Sequence, residues 1–142
     1  MLIDKILFSD PVPLMMKKSL DFESARHLLI SNNIAQMDTP GYKTHDIDFK
    51  SQLKDAMGGG GSQLKLATTN ERHIGPGMDS LKMLSPVPVE EENLAKSNGN
   101  NVDIDKEMAK LAENQIEYNA VTQFMMKRGS TVRSAVTELP QQ

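Results

Sequence analysis

Few side chains in this sequence have the types and spacing that metal or catalytic chemistry requires. The three histidines, His27, His45 and His73, lie far apart and the chain has no cysteine, so neither a zinc site nor a disulfide is expected. The glycine run 58–61 lacks the Lys-Ser/Thr pair of a phosphate-binding loop and indicates a flexible linker. No Ser/His/Asp set or carboxylate pair stands out. We therefore expect no enzyme, no cofactor and no bound metal.

The polar residues that do stand out lie near the end of the predicted first helix. Asn32 and Asn33 interrupt an apolar pattern, although asparagine is a poor helix former. Their amides can hydrogen-bond loose backbone carbonyls or the backbone of a partner. Pro40 and Gly41 then predict a turn after Thr39. We call this segment the assembly corner, and its defining residues are Asn32, Asn33, Ile34, Thr39, Pro40, Gly41 and Tyr42.

The composition indicates a chain with a thin core of its own. Only 38% of the 142 residues are hydrophobic, against about 45–50% in a typical domain. Tryptophan is absent, and ten methionines supply apolar surface that suits contacts with varying partners. Sixteen basic and nineteen acidic residues are mixed along the chain without a basic stripe, so nucleic-acid binding is not expected. The acidic run 90–92 is predicted to be solvated surface.

The sequence predicts neither a membrane span nor a cleavable signal peptide. No run approaches the roughly 18–20 apolar residues that cross a bilayer. The apolar start from Met1 to Phe8 carries Asp4 and Lys5, and no small-residue cleavage site follows it. If the protein leaves the cytoplasm, we expect a route that needs no cleavable signal.

The assembly corner follows a predicted helix with a clear start. Asp10 is expected to cap it, and Pro11 suits the first helical position. The helix is predicted to end near 37–38, because Pro40 disfavours helical geometry at the residue before it. One apolar face contains Met15, Phe22, Ala25 and Leu29.

The last third of the chain is predicted to form one long helix. Asp103 is its expected N-cap, and Asp105 and Glu107 place negative charge at the positive end of the helix dipole. Apolar residues at alternating four- and three-residue spacing form a heptad seam typical of coiled-coil contacts. The seam consists of Ile104, Met108, Leu111, Tyr118, Met125, Val132 and Val136, with Gln115, Thr122 and Gly129 between them. A second apolar line contains Ala112, Ile116, Ala120 and Phe124.

The lengths of the two helices indicate assembly. At about 1.5 Å per residue the last helix would be roughly 50 Å long and the first about 40 Å. A single chain of this size cannot bury both along their length. We therefore expect the fold to be mainly α, with the two terminal helices packed as an antiparallel coiled-coil-like pair.

The centre of the chain is predicted to be irregular. Residues 48–57 form an expected short helix with Phe49, Leu53 and Ala56 on one side, and residues 63–68 alternate enough for a short strand. Turns or loops are predicted at 75–77, 86–88 and 97–101. Three regions follow: an N-terminal part (1–43), a central loop region (44–101) and a C-terminal helix (102–142).

Two motifs resemble those of the bacterial flagellar rod and hook axial proteins, whose first helix ends in Asn-Asn-Ile-Ala-Asn…Thr-Pro-Gly-Tyr-Lys. This chain has Asn-Asn-Ile-Ala-Gln at 32–36 and Thr-Pro-Gly-Tyr-Lys at 39–43. A second match runs from 99 to 109 and continues with Leu111, Asn114, Gln115 and Tyr118. Together the motifs cover roughly the whole length. The short chain is similar to a proximal rod subunit, since hook and distal rod proteins carry large inserted domains.

The resemblance implies a structural subunit of the rod, the tube that transmits torque and surrounds the export channel. It implies export by the flagellar type III apparatus and polymerisation in the periplasm, beside other copies, the adaptor FliE and the rod protein FlgC. Family members also tend to carry an apolar export signal and a Phe-x-x-x-apolar element. Residues 2–7 fit the first, and Phe49 with Leu53 fits the second, although 8–12 fits it too.

Two alternatives stay open from the sequence. One is the sibling rod protein FlgC, which has a similar length. The other is an unrelated coiled-coil adaptor, such as a soluble chaperone. That adaptor would form a stable, discrete dimer in solution, whereas a rod subunit would be a poorly folded monomer or an irregular polymer.

Overall fold

The computed structural model describes residues 11–56 and 78–137. In chain order its elements are helix α1 (Val12–Ala35), strand β1 (His45–Asp46), helix α2 (Phe49–Ala56), helix α3 (Met78–Met83), strand β2 (Val89–Glu90) and helix α4 (Ile104–Thr137). The long helices α1 and α4 pack against each other, and β1 and α3 also contact α1. The predicted mainly helical fold with paired terminal helices is confirmed. Within the described ranges, no helix is both long enough and apolar enough to cross a membrane.

Helix α1 starts as expected and ends earlier than expected. Pro11 has helical backbone angles, and its carbonyl accepts a hydrogen bond from the N–H of Met15. The proposed cap, Asp10, lies outside the described residues. The helix ends at Ala35 because the N–H of Gln36 is shared between two carbonyls and the turn tightens there. The predicted end at 37–38 was therefore two to three residues too late.

Helix α4 begins at the predicted cap and runs without interruption. The carboxylate of Asp103 accepts hydrogen bonds from the N–H groups of Asp105 (3.1 Å) and Lys106 (3.4 Å). Its 34 residues correspond to a length of about 50 Å. Gly129 does not break it.

The two long helices are antiparallel, and the line on which they meet is polar. The side chain of Asn114 contacts Glu23, and Glu107 contacts Asn33, so residue numbers rise along one helix as they fall along the other. The interface therefore runs through buried polar residues of α4. Phe22, Ile30 and Val102 are buried too.

Most of the predicted heptad seam lies off the line through Glu107 and Asn114 on which α4 hydrogen-bonds to α1. Leu111 is half-buried, but the other seam residues with described side chains are between 36% and 52% exposed: Ile104, Met108, Tyr118, Met125 and Val132. The side chain of Val136 lies outside the described residues. Polar groups on α1 require polar partners, so α4 turns Glu107 and Asn114 inward and the seam outward.

The central region holds a short sheet beside the helix pair. Strands β1 and β2 are antiparallel, with His45 opposite Glu90 and Asp46 opposite Val89. These two-residue strands were not predicted, and the strand predicted at 63–68 lies outside the described residues. Loops at 86–88 and 97–101 are confirmed.

Helix α2 confirms the predicted short helix. Asp48 caps it by accepting a hydrogen bond from the N–H of Ser51 (3.0 Å). The ring of Phe49 packs against Phe22 with centroids 4.8 Å apart, and Leu53 is half-buried. Phe49, on the predicted apolar side of α2, therefore contacts α1.

Replacement of Phe22 by alanine tests the core. Phe22 is 1% exposed, so we expect the Phe22→Ala chain to lose about 3–5 kcal/mol of unfolding free energy from lost burial and a residual cavity. Leu28→Ala is the matched control, because Leu28 lies on the same helix and is 68% exposed. Urea unfolding followed by circular dichroism measures both. Equal losses would contradict the assigned core.

Candidate assembly interface

Asn33 joins four parts of the molecule through one buried amide. Its Nδ2 donates to the carbonyl of His45 and to the carboxylate of Glu107, both at 2.9 Å. Its Oδ1 accepts from the hydroxyl of Tyr42 (2.9 Å) and the N–H of His45 (3.3 Å). The side chain is fully buried. Asn33 thus ties α1 to the corner, to β1 and to the first turn of α4.

The rest of the assembly corner divides into a turn and an exposed side. The N–H of Tyr42 donates to the carbonyl of Thr39 (3.3 Å), and Gly41 has φ +74°, which is the geometry of a turn that favours glycine. The predicted turn is confirmed. Asn32 is exposed and donates to the Tyr42 hydroxyl (3.3 Å), and Pro40 is exposed.

Asn100 closes the corner from the other end of the chain. Its Nδ2 donates to the carbonyls of Gln36 (2.9 Å) and Thr39 (2.8 Å). Its Oδ1 accepts from the N–H of Val102 (2.7 Å). The side chain is fully buried. The sequence places Asn100 in a predicted loop and in the second family motif, without a role for its side chain; its position in the Gly-Asn-Asn of that motif is the signal that could have indicated one.

Asn101 holds the central loop in the same way. Its Oδ1 accepts from the N–H of Thr44 (2.8 Å) and its Nδ2 donates to the carbonyl of Glu91 (2.9 Å). A residue just before α4 therefore positions both chain segments that flank the sheet.

Two glycines bring the two motifs of the chain into contact. The N–H of Gly41 donates to the carbonyl of Asn98 (3.1 Å). Gly99 has φ +81°, and a Cβ there would lie 3.4 Å from the Cα of Gly41. The segment that follows α1 and the segment that precedes α4 are therefore in direct backbone contact.

A half-buried charge cluster lies beside the corner. Arg26 binds Asp46 through two hydrogen bonds of 2.8 and 3.2 Å. The Nζ of Lys110 lies 2.6 Å from the Glu91 carboxylate, 3.0 Å from Glu107 and 3.5 Å from Asp46. Glu91 was predicted to be solvated surface, and this was wrong, because it is the main partner of a half-buried lysine.

The cluster shifts the ionisation of its members. Burial alone would raise the pKa of Asp46, but hydrogen bonds from Arg26 and the Ile47 N–H, with the nearby positive charges, lower that pKa below its ordinary value. Burial alone would lower the pKa of Lys110, but the hydrogen bonds that Lys110 donates to Glu91 and Glu107 raise it. Both charged forms are therefore favoured in the fold.

The pKa of Glu23 is shifted in the opposite direction to that of Asp46. It is buried at the helix interface, where the Asn114 amide donates to its carboxylate and also to its backbone carbonyl (3.0 Å). Burial, and then repulsion from Glu117, raise the pKa of Glu23. Asn114 therefore satisfies a carboxylate that the fold does not otherwise neutralise fully.

The remaining sequence-based candidates lie apart from the corner. Phe49 and Leu53 belong to α2, and most of the heptad seam is exposed. Within residues 11–56 and 78–137, no group of His, Cys, Asp or Glu side chains is arranged to hold a metal ion.

Substitution of Asn33 by aspartate tests the corner. The new carboxylate would face the Glu107 carboxylate and could not donate a hydrogen bond to it. We therefore expect a loss of about 1–3 kcal/mol or more in unfolding free energy. The loss should be smaller at acidic pH, where a carboxyl group becomes protonated. Asn32→Asp makes the same chemical change at the exposed neighbour and should have little effect. Urea unfolding at neutral and acidic pH measures both. Similar losses for the two variants would argue against the buried role.

The stability of the chain should fall in acid because of Asp46. An aspartate whose pKa is lowered by folding stabilises the fold above its unfolded value of about 3.9, and the contribution is lost as the pH falls through the folded pKa. We expect Asp46→Asn to flatten the acid side of the profile of unfolding free energy against pH. Asp38→Asn is the control for removing one exposed negative charge. An unchanged acid slope in Asp46→Asn would refute the assignment.

No family model matches the chain. Individual relatives do match over most of its length. The chain is 30% identical over 122 residues to the flagellar basal body rod protein FlgB of Bacillus subtilis (strain 168), covering 86% of this chain and 90% of the relative. It is 34% identical over 128 residues to FlgB of Proteus mirabilis (strain HI4320), covering 88% and 90%.

A more distant bacterium gives the same result. FlgB of Borreliella burgdorferi is 36% identical over 107 residues, which cover 72% of this chain and 78% of the relative. The shared name favours FlgB over the sibling FlgC and over an unrelated coiled-coil adaptor. This chain therefore belongs to the FlgB family of flagellar basal body rod proteins.

Proposed function

We propose that this chain is a structural subunit of the proximal rod and polymerises through its terminal helices. The observation that carries the proposal is the large apolar surface left on α4 after it has packed against α1. Ile116, Phe124 and Met126 are each more than 60% exposed. Contiguous apolar surface of this kind on a protein marks an interaction site.

The exposed apolar residues of α4 follow two lines that differ from the buried line through Glu107 and Asn114. The first is the heptad seam, exposed from Ile104 to Val132 apart from half-buried Leu111. The second contains Ala112, Ile116, Ala120 and Phe124, all of them exposed. Because the inward line through Glu107 and Asn114 is a third one, α4 can contact its own α1 and more than one neighbouring subunit.

The assembly corner sets the direction in which the central region leaves the helix pair. Asn33, Asn100 and Asn101 hold the chain on both sides of the turn through buried hydrogen bonds. Asn32 and Pro40 remain exposed beside them. In the proposed rod the buried amides fix the angle of the central region, and the exposed residues contact a neighbouring subunit.

Family membership supports the location and partners of the proposed subunit. The relatives are named as rod proteins of the basal body. We propose that the chain is exported without a cleavable signal by the flagellar type III apparatus. It then assembles in the periplasm with other copies, FlgC and FliE into the tube that transmits torque and surrounds the export channel. Its role is structural rather than enzymatic.

The candidate export element is compatible with export before folding and assembly. Phe49 packs on Phe22 in the fold, so an apparatus that recognises Phe49 and Leu53 must do so before the chain folds. The alternative element begins at Phe8 and the apolar segment 2–7 precedes it; both segments lie wholly or almost wholly outside the described residues.

Replacement of Met125 by aspartate tests assembly. Met125 lies on the seam and is 39% exposed, so a charge there should prevent burial against a neighbour while the chain still folds. In cells lacking the native protein, we expect Met125→Asp to abolish motility and to be missing from isolated basal bodies, with export unchanged. Immunoblots of basal bodies and of exported protein measure this.

Gln123→Asp is the matched control, because it introduces the same charge at an exposed polar position two residues away. It should assemble. Leu111→Asp should also prevent assembly, but Leu111 is half-buried within the chain, so that variant would also lose stability. Normal rods built from Met125→Asp would show that the seam is not an assembly surface.

A further inference from the structure

The charges of α4 are divided between its two halves. Residues 103–117 contain five acidic and two basic residues, whereas 118–137 contain three basic residues and no acidic one. We call residues 127–134 the basic tail. Lys127 is exposed there, as is Arg133 six residues further along the helix. The two ends of one helix therefore carry opposite charge.

The basic tail contains several small, exposed residues. Gly129 has no neighbouring atom within 4 Å of where a Cβ would lie, and Ser130 and Ser134 are exposed. The Ser130 hydroxyl donates to the Lys127 carbonyl of its own helix (2.7 Å). Small residues let another surface approach the helix backbone closely. The long side chains of Lys127 and Arg133 can then contact acidic groups on that surface.

An acidic cavity of about 430 Å³ lies beside the middle of α1, between that helix, the sheet and α2. Phe22 and Phe49 contribute apolar surface to it. Six acidic side chains line it against two basic ones; the acidic residues are Glu23, Asp46, Asp48, Glu90, Glu91 and Glu117.

Some of these acids are already used within the molecule. Arg26 forms an ion pair with Asp46, and Lys110 forms one with Glu91. Glu90 is exposed on β2, and no described side chain makes an ion pair with it. The Glu117 carboxylate comes no closer to the Arg26 guanidinium than 3.7 Å, and the Glu117 side chain remains about half exposed. The cavity therefore keeps an excess of negative charge that faces outward.

The basic tail cannot reach the acidic cavity of its own chain. Glu117 at the cavity and Arg133 in the tail are on one uninterrupted helix, and at about 1.5 Å per residue they are roughly 24 Å apart along it. A basic partner for the cavity must therefore come from another molecule, and a second copy of this chain supplies one with the required charge.

We infer that the basic tail of one copy docks in the acidic cavity of a second copy, with Lys127 and Arg133 near Glu90 and Glu117. The contact joins two different surfaces, so it is head-to-tail and repeats from copy to copy, as a ring or an open helical array, instead of closing as a two-fold dimer. Charge complementarity fixes the direction and register of stacking. This inference rests on the proposed rod function and names the contact that orders its subunits.

Disulfide trapping tests the contact, because the natural chain has no cysteine. The experiment uses full-length protein in basal bodies isolated from cells and treated with a mild oxidant. A chain with both Glu90→Cys and Ser130→Cys should give a ladder of cross-linked multimers. Either substitution alone should give none, and a strain expressing both single variants should give cross-linked dimers.

Charge reversal with rescue tests the electrostatic cause. Lys127→Glu combined with Arg133→Glu should lower incorporation into basal bodies by about tenfold or more, since opposed like charges cost several kcal/mol. Adding Glu90→Lys and Glu117→Lys to the same chain should restore most of it. Incorporation at the natural level in the reversed chain, or failure of the second pair of reversals to restore it, would contradict the inference.

The outcomes separate this contact from the proposed function. If Met125→Asp abolishes assembly while no ladder forms in the chain with both cysteines, the chain is a rod subunit and the tail contact is wrong. A cross-linked dimer from one single-cysteine variant would also overturn it, because such a dimer requires a symmetric contact. If Met125→Asp leaves assembly intact, the proposed use of the seam fails whether or not the ladder forms.

Discussion

The contact between α1 and α4 is held by buried amides and carboxylates as much as by apolar side chains. Asn33 meets Glu107 near the corner, and Asn114 meets Glu23 further along. Within the described chain every buried side-chain nitrogen and oxygen has a partner. Because a shift of one helix along the other would leave these groups unsatisfied at a cost of about 1–3 kcal/mol each, they fix the register of the pair.

This constraint explains why so much apolar surface stays outside. A helix that turns a polar line toward its partner must turn its apolar lines elsewhere, and Phe124 and Ile116 are more than 60% exposed as a result. Among the described residues, fewer hydrophobic than polar side chains are fully buried. The molecule therefore has a precise internal geometry but a small core, which suits a subunit that gains much of its stability from neighbours.

Local features of this fold could be predicted from the sequence, and the pairing of distant features could not. The Asp103 cap and the helix at 49–56 depend on residues close in the chain, and both were correct. The line of α4 that hydrogen-bonds to α1 was not predicted, because hydrophobic periodicity marks apolar residues as contact lines, whereas the polar residues Glu107 and Asn114 are buried here. Asn100 reaches carbonyls more than sixty residues away, which no local pattern reveals.

A side-chain-resolution density map of the assembled basal body tests the central claim most directly. It should show the seam and the second apolar line of α4 buried against neighbouring subunits, with Asn33 still bound to Glu107 inside each chain. A map in which those two lines face solvent, or in which α4 has rotated to place them against its own α1, would contradict the account.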